Sequence, residues 1–372
     1  MSELESPTCW LELSRANLLH NLAGVRALVG ASKIMAAVKA NAYGAGAVGV
    51  ARVLSSASVD AFGVATVAEG VELREHGIAG EILLLTYFTR DEVDAIFDYD
   101  LAPALFTVDA ARRLAEHAQA TNRRARVWIK VDTGLGRLGV PFQSARGFIQ
   151  QVMQYSGMEV AGLFSTLTEN PARDQMQVQR LLDVRRHVPE FGGVPLSIAS
   201  SNGILSLRAS YLDMVRPGIM LLGLDPSERE RMDVTLVRQA DLRPIVTWKT
   251  RVGYVKVVSE GEQVGYSCRA PLERETPIAT LTIGWANGYA PAMSRAGHVL
   301  LHGRRVPVVA VSAHSTMVDV TDSPAIAIGD EVVLLGMQGD AEITTAEMAR
   351  ATGESVYRML ATIPREIPRI WN

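Results

Sequence analysis

Short apolar runs recur along about the first 230 residues and alternate with amphipathic stretches. Each run is continuously apolar, as in a parallel strand that is buried on both faces, and the stretches between them have helical spacing. The apolar runs cover residues 34–39, 61–66, 81–86, 102–107, 127–132, 160–165, 196–200 and 214–221. Helix-like segments between them include 47–55, 66–76, 109–119 and 174–187. About eight β-α repeats predict an α/β fold whose first domain, residues 1–235, is a (β/α)8 barrel of the TIM type.

An open doubly wound sheet is the alternative architecture for the same alternation of strands and helices. That fold carries a Gly-x-Gly-x-x-Gly phosphate loop after its first strand. Here Val38-Lys39-Ala40-Asn41 stands in that place. The barrel therefore remains the favoured prediction.

The pattern changes after about residue 235 to short β-rich runs separated by turn signals. These runs cover 245–258, 278–284, 299–301, 306–311, 317–320 and 331–335. They predict a mostly β second domain, residues 236–372. Residues 344–352 have a helical pattern, after which Pro364 and Pro368 are expected to break any further regularity.

Composition and charge narrow the class of protein. The chain has 372 residues, 48% of them hydrophobic and 21% charged, which suits two globular domains. Its formal net charge is −3 with the basic residues spread along the chain, so no nucleic acid partner is expected. No apolar run reaches membrane-spanning length, so no membrane partner is expected either.

Cysteine usage and the N-terminus predict a reducing cytoplasm. Cys9 and Cys268 are the two cysteines, far apart in sequence, and no His/Cys cluster has metal-ligand spacing. No metal is therefore expected. The acidic segment 1–6 lacks the apolar region of a signal peptide.

Lys39 is the first candidate for chemistry because it ends the first apolar run, and barrel enzymes place their active sites at the carboxyl ends of strands. An amine walled by apolar residues is less protonated, as a cofactor-binding lysine requires. Taken alone, however, a strand-end lysine also fits a surface residue that reaches out to water.

The surrounding motifs resemble those of the alanine racemases, which depend on pyridoxal 5'-phosphate (PLP). The resemblance is carried by the following segments in the family's order: Ala37-Val38-Lys39-Ala40-Asn41-Ala42-Tyr43-Gly44, Lys130-Val131-Asp132-Thr133-Gly134-Leu135-Gly136-Arg137-Leu138-Gly139, Asp213-Met214-Val215-Arg216-Pro217-Gly218-Ile219, Val264-Gly265-Tyr266, Ile283-Gly284-Trp285-Ala286-Asn287-Gly288-Tyr289 and Thr316-Met317-Val318-Asp319-Val320. It spans both predicted domains and implies an amino-acid racemase or epimerase with a small-molecule amino-acid substrate.

The resemblance assigns two bases and a ring contact. Lys39 would carry PLP and act as one base, and Tyr266 would act as the other from the opposite face. In the family the partner subunit donates this tyrosine, which implies a homodimer whose second domain contributes to the partner's active site. Arg216 would bond the ring nitrogen of PLP. From the residues alone, Tyr266 also fits a solvated turn and Arg216 a salt bridge at the barrel rim.

The resemblance also assigns the phosphate and the substrate carboxylate. Tyr43, Ser201 and the amides of Gly218 and Ile219 would hold the phosphate. Arg137 would lie near the substrate carboxylate and be supported by Lys130, often as a carbamate in the family. Ser201 also fits a simple helix cap, and Arg137 or Lys130 a structural ion pair.

Several positions depart from the family pattern, and all of them belong to active-site motifs. Ala45 stands where the family has histidine, Thr166 where a histidine stacks on the ring, Ser312-Ala313-His314-Ser315 where it has Cys-Met-Asp-Gln, and Arg365 where it has tyrosine; Trp285 and Asn287 replace tyrosine and aspartate. Ala313 removes a bulky wall, while His314 and Arg365 add donors and positive charge. The substrate therefore need not be alanine, and Arg365 becomes a candidate phosphate ligand.

Two other functions stay open at this point. One is a PLP-dependent lyase or decarboxylase on the same fold, which Thr166 and the altered loop at 312–315 keep open. The other is a non-catalytic PLP-binding protein, against which the β-rich second domain and Tyr266 argue.

Overall fold

The structure, a computed structural model, describes residues 7–188, 193–224, 232–266, 271–323 and 325–372. The chain divides into two compact units. The barrel unit comprises Leu18–Ala42 and Ala47–Arg243, and the β unit comprises Met1–Asn17, Tyr43–Gly46 and Pro244–Asn372. The first strand of the chain, β1 (Cys9–Leu13), belongs to the β unit.

Parallel strands form a closed barrel in the barrel unit. They are β2 (Lys33–Ala37), β3 (Ala61–Val64), β4 (Glu81–Leu84), β5 (Ala102–Leu105), β6 (Ala125–Asp132), β8 (Met158–Phe164), β9 (Leu196–Ser200) and β10 (Met214–Arg216), with the short β7 (Val140–Pro141) paired beside β6. Each strand pairs with the next around the ring, and β10 pairs with β2 to close it. The predicted eight-stranded barrel is confirmed.

Helices connect the strands of this part of the chain. They are α1 (Arg15–Val29), α2 (Lys39–Tyr43), α3 (Ala47–Ser56), α4 (Val67–Glu75), α5 (Val93–Asp98), α6 (Val108–Thr121), α7 (Ala145–Met153), α8 (Pro171–Arg186), α9 (Ser201–Ser206) and α10 (Val234–Ala240). Side chains at their N-termini explain where several begin: Thr66 caps α4, Thr107 caps α6, and Asn170 with Pro171 starts α8. The division predicted after residue 235 falls within α10 and stays a prediction.

A packed core fills the barrel and keeps its strands in place. Trp128 and Phe164 are about 1% exposed and meet edge to face, with ring centroids 6.4 Å apart. Gly162 leaves room for this indole, because a Cβ there would collide with the Trp128 ring. Trp128 also donates its indole N–H to Glu81 at 2.9 Å. The interior is thus filled with side chains, which leaves chemistry to the strand ends.

The β unit is mostly antiparallel, as predicted. Its further strands are β11 (Val246–Val258), β12 (Thr276–Leu281), β13 (His298–Leu301), β14 (Arg304–Val311), β15 (Thr316–Asp319), β16 (Glu331–Gln338), β17 (Ala341–Ile343) and β18 (Arg369–Trp371), and its helices include α11 (Thr345–Thr352) and α12 (Val356–Ala361). The sheet order is β17-β16-β13-β14-β15-β12-β11-β1-β18, and an added pairing of β16 with β11 closes six of these strands into a ring.

The end of the chain corrects one expectation. Pro364 and Pro368 were expected to end regular structure, but β18 follows Pro368 directly and pairs in parallel with β1. The Pro368 carbonyl accepts a hydrogen bond from the amide of Leu11 at 2.8 Å. Proline is tolerated here because β18 lies at the edge of its sheet. In the part of the chain that the structure describes, no helix is both long and apolar enough to cross a membrane.

Candidate active site

The carboxyl ends of the barrel strands carry most of the residues that the sequence singled out. Lys39 follows β2, Lys130 lies near the end of β6, Arg216 ends β10, and Ser201 follows β9. Arg137 lies between β6 and β7 and is exposed. Because the strands are parallel and closed into a barrel, their carboxyl ends share one face.

Lys39 is half-buried, and its environment weakens its hold on a proton. Burial lowers the pKa of the Lys39 amine, and the nearby positive charges of Arg137 and Arg216 lower it further. The Glu69 carboxylate opposes these effects and raises it. A lysine that loses its proton more readily is suited to act as a nucleophile or a base.

The backbone after Lys39 is a left-handed turn. Ala40, Asn41 and Ala42 have φ values of 53°, 54° and 49° with ψ near 50°, and Tyr43 continues with φ 52°. Non-glycine residues adopt this conformation at a cost of about 1–2 kcal/mol each. Asn41 offsets part of the strain, because its side-chain oxygen accepts the amide of Ala47 at 3.0 Å and so starts α3. Strain of this kind persists where surrounding contacts enforce it, often at functional sites.

Lys130 is 4% exposed and makes few polar contacts for a cation. Its Nζ donates to the Leu85 carbonyl at 2.8 Å and lies 5.0 Å from the centre of the Phe164 ring. Burial lowers the pKa of Lys130 to about 7, helped by the positive charges of Arg216, Arg137 and Lys39. At neutral pH this amine is therefore far more often neutral than the amine of an ordinary lysine.

Arg216 is also buried, and two hydrogen bonds fix its guanidinium. It donates to the Ser197 hydroxyl and to the Ser165 carbonyl, each at 2.6 Å, and its guanidinium lies 5.2 Å from the centre of the Phe164 ring. Burial lowers the pKa of Arg216 to about 10, which still leaves it charged at neutral pH. These partners do not form the rim salt bridge considered from the sequence.

Positive charge therefore accumulates at this end of the barrel. Among residues 7–188, 193–224 and the other described segments, none of Lys39, Lys130, Arg137 and Arg216 forms an ion pair with a carboxylate. A group of cations that outnumbers the carboxylates near it and forms no ion pairs with them is suited to bind an anionic ligand. PLP, with its phosphate, and an amino acid, with its carboxylate, both fit this requirement.

The Ser201 side chain contacts the segment that follows β10. The Ser201 hydroxyl accepts hydrogen bonds from the amides of Gly218 at 2.9 Å and Met220 at 3.4 Å. Ile219, between these two residues, begins a short 3-10 helix and is 1% exposed. The hydroxyl thus contacts another strand end, whereas a simple cap would contact the start of its own helix.

The remaining predicted residues belong to the β unit. Tyr266 is 89% exposed, and His314 and Arg365 are also exposed. The ring of Tyr43 lies 5.9 Å from that of Tyr357. The next residue, Gly44, accepts hydrogen bonds at its carbonyl from the Arg369 guanidinium at 2.9 and 3.2 Å, which anchors the 43–46 segment in this unit.

The altered loop at 312–315 packs on the segment that follows β12. The carbonyls of Ser312 and Ala313 accept the amides of Trp285 and Ala286, each at 2.9 Å. A Cβ at Gly284 would collide with these same carbonyls, so the close approach requires glycine. Trp285 is 55% exposed beside the loop. The substituted positions 285 and 312–314 thus form one contiguous surface.

Sequence reasoning missed three residues that support the strand-end groups. Ser165 and Ser197 hold Arg216, and the Glu69 carboxylate accepts the amide of Ala40 at 2.7 Å, next to Lys39. For Glu69 a signal existed: Thr66 and Glu69 have the spacing of a capping box. No local pattern marks the two serines.

Comparison with known proteins places the whole chain. The model of the alanine racemase N-terminal domain matches residues 13–226, and that of the C-terminal domain matches residues 245–371. The alanine racemases of Halothermothrix orenii and Symbiobacterium thermophilum are each 36% identical to this chain over 97% of it and 96% of their own length.

Solved structures agree with the sequence relatives. The alanine racemase of Clostridium difficile 630 superimposes with a TM-score of 0.90 at 27% identity, covering 99% of this chain and 96% of that one. The enzyme of D-cycloserine-producing Streptomyces lavendulae gives 0.91 at 29% identity, covering 99% and 98%. With both family domains matched over nearly its full length, the chain belongs to the alanine racemase family and is a PLP-dependent amino-acid racemase.

Proposed function

We propose that the chain interconverts the L and D forms of an α-amino acid with Lys39 as one base and Tyr266 of a second copy as the other. The observation that carries this proposal is the group of cations around Lys39, none of which forms an ion pair among the described residues, together with the lowered pKa of the Lys39 amine. Such a site attracts an anionic cofactor and substrate, and the lowered pKa makes the Lys39 amine a more available base than an ordinary lysine.

Each residue contributes a defined step. When bound, PLP withdraws electrons from the substrate and so acidifies its α-proton. Lys39 Nζ takes or returns this proton on one face, and the Tyr266 hydroxyl does so on the other. Because Tyr266 is 89% exposed, we propose that it works in the active site of a second copy, which makes the protein a homodimer.

The cofactor would be held by residues from several strand ends. Arg216 cannot readily give up its proton and would donate to the ring nitrogen of PLP, which leaves that nitrogen unprotonated and disfavours transamination. Tyr43, Ser201, the amides of Gly218 and Ile219, and Arg365 are the proposed phosphate ligands.

Arg137 and Lys130 are proposed to serve the substrate carboxylate. Arg137 is exposed at the barrel mouth, where a guanidinium binds a carboxylate through two hydrogen bonds. Lys130, with its pKa near 7, is reactive toward carbon dioxide: a neutral amine and CO2 form a carbamate and release one proton. The new negative charge would offset the surrounding cations and help to orient Arg137.

We further propose that the substrate is larger than alanine and has a polar or acidic side chain. Ala313 replaces the methionine of the family pattern, and the exposed His314 provides a donor. The space left by the methionine would admit a side chain larger than a methyl group, and a polar group on that side chain could pair with His314.

Deuterium exchange at the α-position, scored together with product chirality, tests the function. The purified chain with PLP is given alanine, serine, glutamate, aspartate and lysine in deuterium oxide. Exchange accompanied by both enantiomers is expected, with kcat/KM for a larger polar amino acid at least equal to that for alanine. An alanine preference of about tenfold, or about 1.4 kcal/mol, would contradict the substrate proposal alone.

Other outcomes would contradict the reaction itself. Release of CO2 or an aldehyde without racemisation would indicate a decarboxylase or lyase. Exchange with none of the five amino acids would indicate a non-catalytic PLP-binding protein. The proposal also places the protein in the reducing cytoplasm, a location that the free and buried thiol of Cys9 supports.

A further inference from the structure

Glu69 makes more contacts than its place in a helix requires. It is the third residue of α4, where its carboxylate completes a capping box with Thr66. The capping contact, from the Thr66 amide, is 3.4 Å long. The same carboxylate accepts two much shorter hydrogen bonds at 2.7 Å, from the amides of Ala40 and Ala65. The strongest contacts of Glu69 therefore serve something other than the cap.

These two amides follow adjacent barrel strands. Ala40 comes directly after Lys39, beyond the end of β2, and Ala65 comes directly after β3. One carboxylate oxygen accepts from each, so the side chain bridges the two strand ends. Hydrogen bonds from amide groups to a carboxylate are charge-assisted and stronger than hydrogen bonds between neutral groups. The bridge fixes the backbone immediately behind the lysine.

The bridged backbone is also the strained one. Ala40 is the first residue of the left-handed turn, with φ 53° and ψ 46°. This left-handed backbone costs about 1–2 kcal/mol per residue, so contacts from outside the turn are needed to hold it. The amide of Ala42 bonds the Val38 carbonyl at 2.8 Å and closes the turn from within. Glu69 supplies the external anchor.

Glu69 also provides the opposing charge at Lys39. The charged groups that act on Lys39 come from four other parts of the chain. Arg137 between β6 and β7, Arg216 at the end of β10 and Lys130 in β6 are positive. Glu69, in α4, is negative and favours the protonated amine. Loss of this one charge leaves the lysine facing cations alone.

We propose that Glu69 is a positioning residue for racemisation, bridging the ends of β2 and β3 behind Lys39 and balancing the cations around its amine. The inference rests on the proposed role of Lys39. It assigns to Glu69 two separable effects, one from its reach and one from its charge.

Two variants separate these effects. Glu69→Gln keeps the size of the side chain and removes its charge, and Glu69→Asp keeps the charge but shortens the reach. Glu92→Gln is the matched control, because Glu92 accepts the amide of Thr89 at 2.7 Å in a second capping box of the same barrel unit. The control should lose a comparable cap without affecting Lys39.

The effect of the Glu69 charge on Lys39 is measured by the pH dependence of PLP binding to the cofactor-free chain. The neutral Lys39 amine condenses with the PLP aldehyde and releases water, and the visible absorption of the attached cofactor follows this step. In Glu69→Gln the midpoint should shift to lower pH, on the order of half a unit or more, since an opposing charge has been removed. Wild type, Glu69→Asp and Glu92→Gln should share one midpoint.

The effect of the Glu69 side-chain length is measured by steady-state kinetics of the enzyme with PLP bound. Glu69→Asp cannot span both amides, so kcat should fall about tenfold or more while KM stays close to wild type. An unshifted midpoint in Glu69→Gln, or an undiminished kcat in Glu69→Asp, would overturn the inference. Capture of PLP by Lys39→Ala at the wild-type rate would instead overturn the role of Lys39, so the two failures are distinguishable.

Discussion

At the residue scale, burial among like charges determines how the lysines of the barrel mouth behave. Lys39 and Lys130 lie near each other and near two arginines, and each has a lowered pKa for which burial is the largest cause. Burial disfavours the charged form of a lysine, and neighbouring cations add to the effect. Arg216 stays charged at neutral pH because a guanidinium starts from a much higher pKa.

Replacement of Lys39 by alanine should abolish both cofactor attachment and racemisation. The amine is the proposed attachment point, and no other lysine follows the first barrel strand. The visible absorption of the attached cofactor, measured after gel filtration with PLP, should disappear. Lys33→Ala is the control, since Lys33 is exposed at the opposite end of β2. A mutant that kept the absorption band and full activity would contradict the assignment.

Lys130 should make stability depend on pH in a predictable direction. Its pKa is about 7 in the folded chain against an ordinary 10.5, so between these values the unfolded chain binds a proton that the folded chain does not. The free energy of unfolding therefore rises with pH across this window. Below pH 7 the folded chain bears the full cost of burying the charge.

The substitution Lys130→Met removes the contribution of Lys130 to the pH dependence of the free energy of unfolding. The variant should be more stable than wild type at pH 6, by on the order of a few kcal/mol, and the difference should shrink as pH rises toward 10. Urea unfolding of both proteins in CO2-depleted buffer measures it, so that carbamate formation does not interfere. A difference that is constant with pH would show that the Lys130 amine titrates normally.

At the element scale, local sequence patterns predict most helices and strands, but they do not predict a strand whose pairing partner lies far away in the sequence. The barrel strands are short, continuous apolar runs, and the helical pattern at 344–352 corresponds to α11, which Thr344 caps. β1 was not predicted, because its five residues become a strand by pairing with β11, more than 230 residues later. β18 depends on β1 in the same way.

The left-handed turn of α2 gives an unusual prediction for glycine. Ala40→Gly should leave stability unchanged or raise it by up to about 1 kcal/mol, because glycine adopts positive φ without strain and this offsets the entropy of the unfolded chain. Ala40 is exposed, so no packing is lost. Thermal unfolding measures the change.

Ala120→Gly is the matched comparison. Ala120 is also exposed but lies in the ordinary helix α6, where the change should cost about 1 kcal/mol. Equal destabilisation by the two substitutions would mean that the turn at Ala40 is not strained.

At the scale of the whole molecule, the proposed second base requires another copy of the chain. Tyr266 is the most exposed large hydrophobic residue of the described chain at 89%, and the β unit also exposes Tyr254 and Val257, at 54% and 60%. A tyrosine that works as a base needs a closed environment, and a second subunit can provide it.

Mixing two inactive mutants tests this assembly. Lys39→Ala and Tyr266→Phe each disrupt one base, but a hybrid dimer has one site with both intact. After random subunit exchange, about a quarter of wild-type activity should return. Each mutant mixed with itself should stay inactive. Full activity of a monomer, shown by light scattering during turnover, would contradict the dimeric site.

The sequence alone determined the barrel and the family, because apolar periodicity and contiguous motifs are local properties of the chain. Lys39 and Arg216 could be singled out from such motifs. Tertiary structure decided what surrounds them: that Arg216 is held by Ser165 and Ser197, that Lys130 loses its proton near pH 7, and that Glu69 bridges two strand ends. These properties depend on burial and on hydrogen bonds between distant parts of the chain, such as those of Arg216, which span 19 and 51 residues. No local pattern encodes which strand ends meet when the barrel closes.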